Sequence, residues 1–316
     1  MSRKRPAPGK WAPTVLPHLA RKLRQAETQA LARLKQRYAA RGPLTGEAKQ
    51  QAEQLERRYR LGLHGLEMAE FFWVTEAMTR VALDASHDMP PFTPEAEVPS
   101  SAGFIGFETS LPPITSTRPL VAHDGTEITD PKPVDALAWH RVPGGFSITA
   151  LCRNENFGDR LMDQNAPFQE VIVYLVPGAT PVEFADELVA DDPSRGAVLS
   201  LLGATWHLMQ QPTVSTPTPR DSVTGKPRGP RQDGEKPGRL VTTIDLRTLK
   251  HVPTEQDETS ADGRTFRHRW VVRGHWRNQA HGERGAKRRI QWIPSYVKGP
   301  EGAPLISSEK VMVWRH

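Results

Sequence analysis

The densest chemistry in this 316-residue chain lies between Arg267 and Gln279, where the order is Arg-His-Arg-Trp-Val-Val-Arg-Gly-His-Trp-Arg-Asn-Gln. An extended chain turns successive side chains to opposite faces. Taken as one strand, the run separates His268, Trp270, Val272, Gly274, Trp276 and Asn278 from Arg267, Arg269, Val271, Arg273, His275, Arg277 and Gln279. The second set is almost entirely cation or hydrogen-bond donor. Guanidinium groups grip phosphate oxygens in pairs, so a row of arginines on one sheet face is a platform for a polyanion. Arg288 and Arg289, in the basic turn after His281, and Lys298, within residues 292–300, extend the set.

Three uses of that face are open. In a metal-independent ribonuclease, His275 or His281 would take the proton from a ribose 2′-OH or return one to the leaving oxygen. Arg273, Arg277 and Lys298 would then hold the charge of the pentacoordinate phosphate, and an imidazole titrates near enough to neutral for either role. In RNA or DNA binding, Arg267, Arg269, Arg273, Arg277, Gln279, Arg288, Arg289 and Lys298 would hold the backbone without chemistry. In a protein-interaction module, the arginines would be structural and pair with carboxylates elsewhere in the chain.

Metal chemistry draws no support from the sequence. Glu283, Glu301 and Glu309 are the only carboxylate side chains in residues 264–316, and two-metal sites need several converging acids. The spacing of His268, His275 and His281 matches no common zinc pattern. Upstream, His64, Glu67, Glu70 and Glu76 fall near helical spacing, but a bundle metal site needs inward carboxylates from other helices and the first helix supplies Glu27 alone. The expected metal and cofactor set is empty. Walker loops, a Gly-x-Ser-x-Gly elbow and a dinucleotide fingerprint are absent, which excludes the common NTPase, hydrolase and dehydrogenase classes.

The charge is unevenly spread. Residues 1–60 carry 15 Lys/Arg against 4 acids, residues 61–263 carry 15 against 29, and residues 264–316 carry 12 against 3. Clustered cations at the ends, rather than the overall +6, are what a counterion-releasing polyanion binder needs. The single cysteine, Cys152, excludes an internal disulfide and a cysteine zinc cluster and fits a reducing compartment. No apolar run approaches the roughly 20 residues of a bilayer span, and the basic start lacks the apolar stretch of a signal peptide. The expectation is a cytoplasmic protein with RNA or a ribonucleoprotein, or else a protein, as partner, and no membrane.

The elements that must position this chemistry follow from periodicity. Leu16, Leu19, Leu23, Ala26, Ala30, Leu34 and Tyr38 recur at three- and four-residue steps and predict an amphipathic helix ended by Gly42-Pro43. Thr45 and Glu47 predict the start of a second helix running to about Asp84. Residues 104–107, 134–139, 146–151 and 171–175 have strand character, and residues 181–188 and 197–209 helix character. Six prolines and four glycines in residues 212–239 mark a flexible basic linker. Residues 240–249, the Arg/His run, residues 290–300 and residues 311–314 predict strands. The expected fold is α+β: an N-terminal basic helical hairpin (1–88), a mixed α/β middle domain (89–211), the linker (212–239) and a β-rich basic C-terminal module (240–316).

The string Arg269-Trp270-Val271-Val272-Arg273-Gly274-His275-Trp276-Arg277-Asn278-Gln279 is followed by Trp-Ile-Pro-Ser-Tyr-Val-Lys-Gly-Pro at 292–300 and by Val-x-Val-Trp at 311–314. This arrangement resembles a family of uncharacterised actinobacterial and mobile-element proteins. That family in turn distantly resembles the type V anti-CRISPR proteins that lower the amount of the Cas effector by acting on its message during translation. Phe104-Ile105-Gly106-Phe107 and Ala136-Leu137-Ala138-Trp139 resemble the family's less specific upstream part. The resemblance implies a regulator that engages RNA, ribosome or nascent chain, with Arg273, His275, Arg277 and Lys298 as the positions that carry over.

Overall fold

A computed structural model describes residues 11–42, 44–115, 120–122, 124–160, 166–182, 193–228, 240–247, 267–300 and 303–306. It divides into two compact units, Met1–Leu246 and Arg247–His316. The architecture is α+β, as the periodicity predicts.

In the first unit the N-terminal amphipathic period becomes α1 (Leu16–Ala40), which buries Leu16, Ala20 and Leu23. Thr45 stands at the N-cap of α2 (Gly46–Met68) with extended backbone but no side-chain cap bond. The expected single helix to Asp84 does not form. Ala69 turns out of the helical region, β1 (Glu70–Val74) follows, and α3 (Glu76–Ser86) starts behind Thr75. Phe71-Phe72-Trp73-Val74 is the cause: four consecutive large apolar side chains suit a strand covered on both faces, and a helix would turn some of them to water. All four are buried.

After α4 (Pro94–Glu97) comes β2 (Ala102–Ile114), far longer than the expected 104–107. The short pair β3 (Leu120–Val121) and β4 (Glu127–Ile128) precedes an antiparallel meander of β5 (Lys132–Val142), β6 (Gly145–Arg153) and β7 (Phe168–Pro177). The strands expected at 134–139, 146–151 and 171–175 are the middles of these three. Helix α5 (Pro193–Met209), β8 (Ser215–Asp221) and β9 (Leu240–Leu246) complete the unit. Nearly all of the helix expected at 181–188 lies outside the described residues. The sheet order is β7-β6-β5-β2-β1-β9-β8, with β1 parallel to both neighbours.

The two faces of β1 carry the two cores. Phe71 and Trp73 join Leu16, Ala20 and Leu23 of α1, with Phe104 and Phe168, on one face. On the other, Phe72 stacks on Trp139 at 5.7 Å, and Trp139 meets Trp206 of α5 edge-on at 5.3 Å. The helical hairpin therefore belongs to the same unit as the middle region, and no boundary falls at residue 88.

Residues 212–239 need two corrections. Ser215–Asp221 is an edge strand rather than a linker. Period two puts Pro217 and Pro219 on one edge, and it is the outer one, because the Arg228 N–H donates to the Pro219 carbonyl at 2.8 Å from outside the sheet. A proline costs no ladder bond there. Leu240–Leu246 pairs with β1 and β8, so the second unit begins after Leu246 rather than at residue 240.

A buried polar node ties the start of the chain to this sheet. Fully buried Asp135 accepts from Ser110 Oγ at 2.6 Å, the Arg153 backbone N–H at 2.8 Å, Arg153 Nε at 3.0 Å and Asn156 Nδ2 at 3.0 Å. The Arg153 guanidinium lies 5.0 Å over the Trp11 ring, whose Nε1 donates to the Phe107 carbonyl at 2.6 Å. Neighbouring Cys152 is buried, and burial is the main cause that pushes its thiol up to about 11, so it stays protonated. Among the described residues no helix is long and apolar enough to cross a membrane.

A Cβ on Gly103 would land in the Trp139 indole, whereas one on Gly62, inside α2, would meet open space. Gly103→Ala is expected to lower the unfolding free energy of the full chain by about 2–3 kcal/mol. Gly62→Ala should raise it by about 1 kcal/mol. Urea denaturation reads both.

Candidate nucleic-acid interface

The second unit holds two small sheets. One is β10 (Arg269–Val272) between β13 (Tyr296–Lys298) and β14 (Leu305–Ile306). The other is a two-stranded ribbon of β11 (His275–His281) and β12 (Lys287–Ile293). The single strand expected over 267–279 is thus broken at Arg273-Gly274, which lie in neither element. The strand expected at 311–314 lies outside the described residues.

The ribbon register sorts its side chains. Residues directly opposite in an antiparallel pair share a face. His275↔Ile293, Arg277↔Gln291, Gln279↔Arg289 and His281↔Lys287 therefore make one face, and Trp276↔Trp292, Asn278↔Ile290 and Ala280↔Arg288 the other. The second face is anchored by the tryptophans, whose rings sit 5.2 Å apart at 63° with Trp292 only 2% exposed. That tilted arrangement is one aromatic pairs favour. The turn closes with Gly282 at φ 78° and Gly285 at φ 70°, conformations that glycine adopts without a Cβ clash. Gly285 N–H donates to the Gly282 carbonyl at 3.1 Å, and Ala286 N–H to the Glu283 carbonyl at 3.2 Å.

The structure brings together five of the residues singled out in the sequence: His275, Arg277, Gln279, His281 and Arg289 share the outer ribbon face. Arg288 is on the reverse face, and Arg273 is exposed at the break between β10 and β11. Arg269 and Lys298 belong to the other small sheet, where Lys298 stands opposite Trp270, and Arg267 lies just before it, outside any strand. Arg269 braces a loop, donating from Nε to the Ala303 carbonyl at 2.8 Å and from its backbone N–H to the Pro304 carbonyl at 2.8 Å. Lys287 and Gln291 complete the outer face, where the sequence pattern alone does not put them. Only the register places them, and the glycines at 282 and 285 were the signal for the turn that sets it.

Among the described residues, no carboxylate forms an ion pair with Arg273, Arg277, Lys287, Arg288 or Arg289. The arginine with a clear bracing role is Arg269, and it binds backbone. His275 Nδ1 lies 3.1 Å from the Arg273 carbonyl, which can only accept a hydrogen bond. His281 is six residues further along the same strand, about 20 Å at the usual rise. One phosphodiester cannot touch both rings, so the two histidines do not form an acid–base pair. No three His, Cys, Asp or Glu side chains are grouped to hold a metal ion among the described residues. Glu67 pairs with Arg24 at 3.3 Å and Glu76 pairs with Arg80.

No protein-family model matches the chain, and no curated protein does. Among solved structures, the crystal structure of AcrVA2, an anti-CRISPR protein, aligns over 91% of this chain and 99% of its own, with 13% identity and a TM-score of 0.37. Likeness at that level establishes neither a common fold nor a common activity.

Trp276 and Trp292 hold the ribbon that presents the outer face. Trp276→Ala is expected to speed amide exchange of residues 275–293 by roughly 10- to 100-fold in the full chain, with exchange in β1 and β2 unchanged.

Proposed function

We propose that this protein is a regulator of the anti-CRISPR-like, mobile-element type that engages RNA or a ribonucleoprotein through the outer face of the β11–β12 ribbon. One observation carries this. Arg277, Lys287 and Arg289 project from a single ribbon face with no carboxylate partner among the described residues, interleaved with Gln279 and Gln291, while the tryptophans point the other way. Cations bind the phosphate backbone and release its counterions, and side-chain amides add hydrogen bonds to phosphate, sugar or base edges. Arg273, exposed at the base of the ribbon, extends the cationic surface. Residues 269–300 resemble an uncharacterised actinobacterial and mobile-element family that in turn distantly resembles proteins acting on an effector message, which makes messenger RNA, free or on the ribosome, the first partner to try.

The test is a titration of the full chain against single-stranded and hairpin RNA in EDTA between about 50 and 200 mM salt. Binding should weaken steeply with salt. Replacing Arg277 and Arg289 together by alanine should reduce the salt slope by about two, with the circular dichroism spectrum unchanged. Absence of binding at low salt would remove nucleic acid as the partner, and an unchanged slope would move the contact off this face.

A further inference from the structure

A cavity of about 220 Å³ lies between the α1–α2 hairpin and the sheet face formed by β5, β6 and β7. Nothing in the proposed RNA engagement uses it. Its lining combines an apolar wall, including Leu23, Leu55, Leu63 and Val173, with several hydrogen-bonding groups. Glu27, Tyr59, His140, Ser147, Thr149 and Gln169 all line it, and none makes a side-chain hydrogen bond to another described residue. Ser147 is buried and the other five are half-buried against the void, so a polar molecule that entered it would find donors and acceptors on several sides.

The charge in the cavity says what enters. Arg58 and Glu170 pair with each other at the rim, Nη2 to Oε2 at 3.2 Å. Glu27 has no cation within ion-pair distance among the described residues. Burial is the chief cause that raises its carboxyl from 4.5 to about 7, followed by the charge of Glu170, with Arg58 only partly offsetting both. Burial likewise raises Glu170, and it lowers His140, helped by neighbouring His64, so the imidazole supplies no compensating charge at neutral pH. The missing partner is a cation. No metal-holding group of side chains is present among the described residues, and the leucine wall suits an alkyl chain. The space is below the range that drug-sized ligands fill.

We propose that this cavity binds a small aliphatic amine, whose ammonium is held by the Glu27 and Glu170 carboxylates while its alkyl chain lies along Leu55, Leu63 and Val173. Tyr59, Gln169, Ser147 and Thr149 supply the remaining hydrogen bonds around the cationic end or around a second polar end. Affinity grows with pH as Glu27 ionises, because the amine stays protonated well above neutral.

The probe is 1,4-diaminobutane, titrated calorimetrically into the full chain at pH 6 and pH 8, with uncharged 1,4-butanediol beside it. The diamine should bind about tenfold more tightly at pH 8 than at pH 6, and the diol should not bind. Glu27→Gln should lose most of that affinity and its pH dependence. Gly62→Leu, which grows from open space in α2 beside the cavity, should abolish binding while the chain stays folded by circular dichroism. No diamine binding, equal binding of the diol, or binding unaffected by both substitutions would each overturn the proposal. Failure here would leave the RNA titration untouched, since the two sites share no residue.

Discussion

The first unit depends on one constraint: β1 has no face that tolerates water. Phe71 and Trp73 on one side and Phe72 and Val74 on the other are all buried. A five-residue strand with that composition is stable only if helices cover both faces of the sheet and if both of its edges are paired. The rest of the unit meets those demands. Strands β2 and β9 flank it in parallel, the α1–α2 hairpin covers one face, and α5 reaches the other through Trp206 against Trp139. Parallel neighbours need long crossovers, and β9 arrives from residue 240, far along the chain. The edges are closed differently, with Pro217 and Pro219 lying on the outer strand β8.

The second unit answers a different problem. A lone two-stranded ribbon is marginal in water, and here its stability and its surface chemistry are assigned to opposite faces. The Trp276–Trp292 pair supplies apolar contact on one, and the other is left for polar and cationic groups. In the first unit, by contrast, the fully buried Asp135 is neutralised in place by Arg153. The contrast separates cations that hold a fold from cations that the fold holds out.

The parts visible in the sequence were those set by local period. Leu16, Leu19 and Leu23 show α1, and the apolar runs in β5, β6 and β7 show the meander. Alternation along β11 puts His275, Arg277, Gln279 and His281 on one face whatever the partner. What stayed hidden was set by pairing. Phe71 and Val74 fit a helical period as well as a strand, and only cover on both faces decides between them. Prolines at 217 and 219 look like a linker until an outer edge is available for them. Lys287 and Gln291 joined the candidate face, and Arg288 left it, through the register of one turn. The cavity was invisible for the same reason, since Glu27, Tyr59, His140 and Glu170 come from four separate elements.

The pattern of the ribbon cations argues against an origin in stability. Exposed charges add little to folding, and like charges directly opposite one another weaken a sheet. A ribbon selected for stability alone would alternate acids with bases across the strands. This one sets Arg277 against Gln291 and Arg289 against Gln279. Each guanidinium thus faces a neutral amide, and the two arginines lie on the diagonal. The arrangement avoids the worst repulsion while packing cations and donors densely on one face. Lys287 follows the same rule, because its partner His281 is an imidazole rather than a fixed cation. Among the described residues the face minimises self-repulsion without neutralising itself, and the repeating charge of a phosphate backbone is the form of countercharge that the proposed function would bring to such a row.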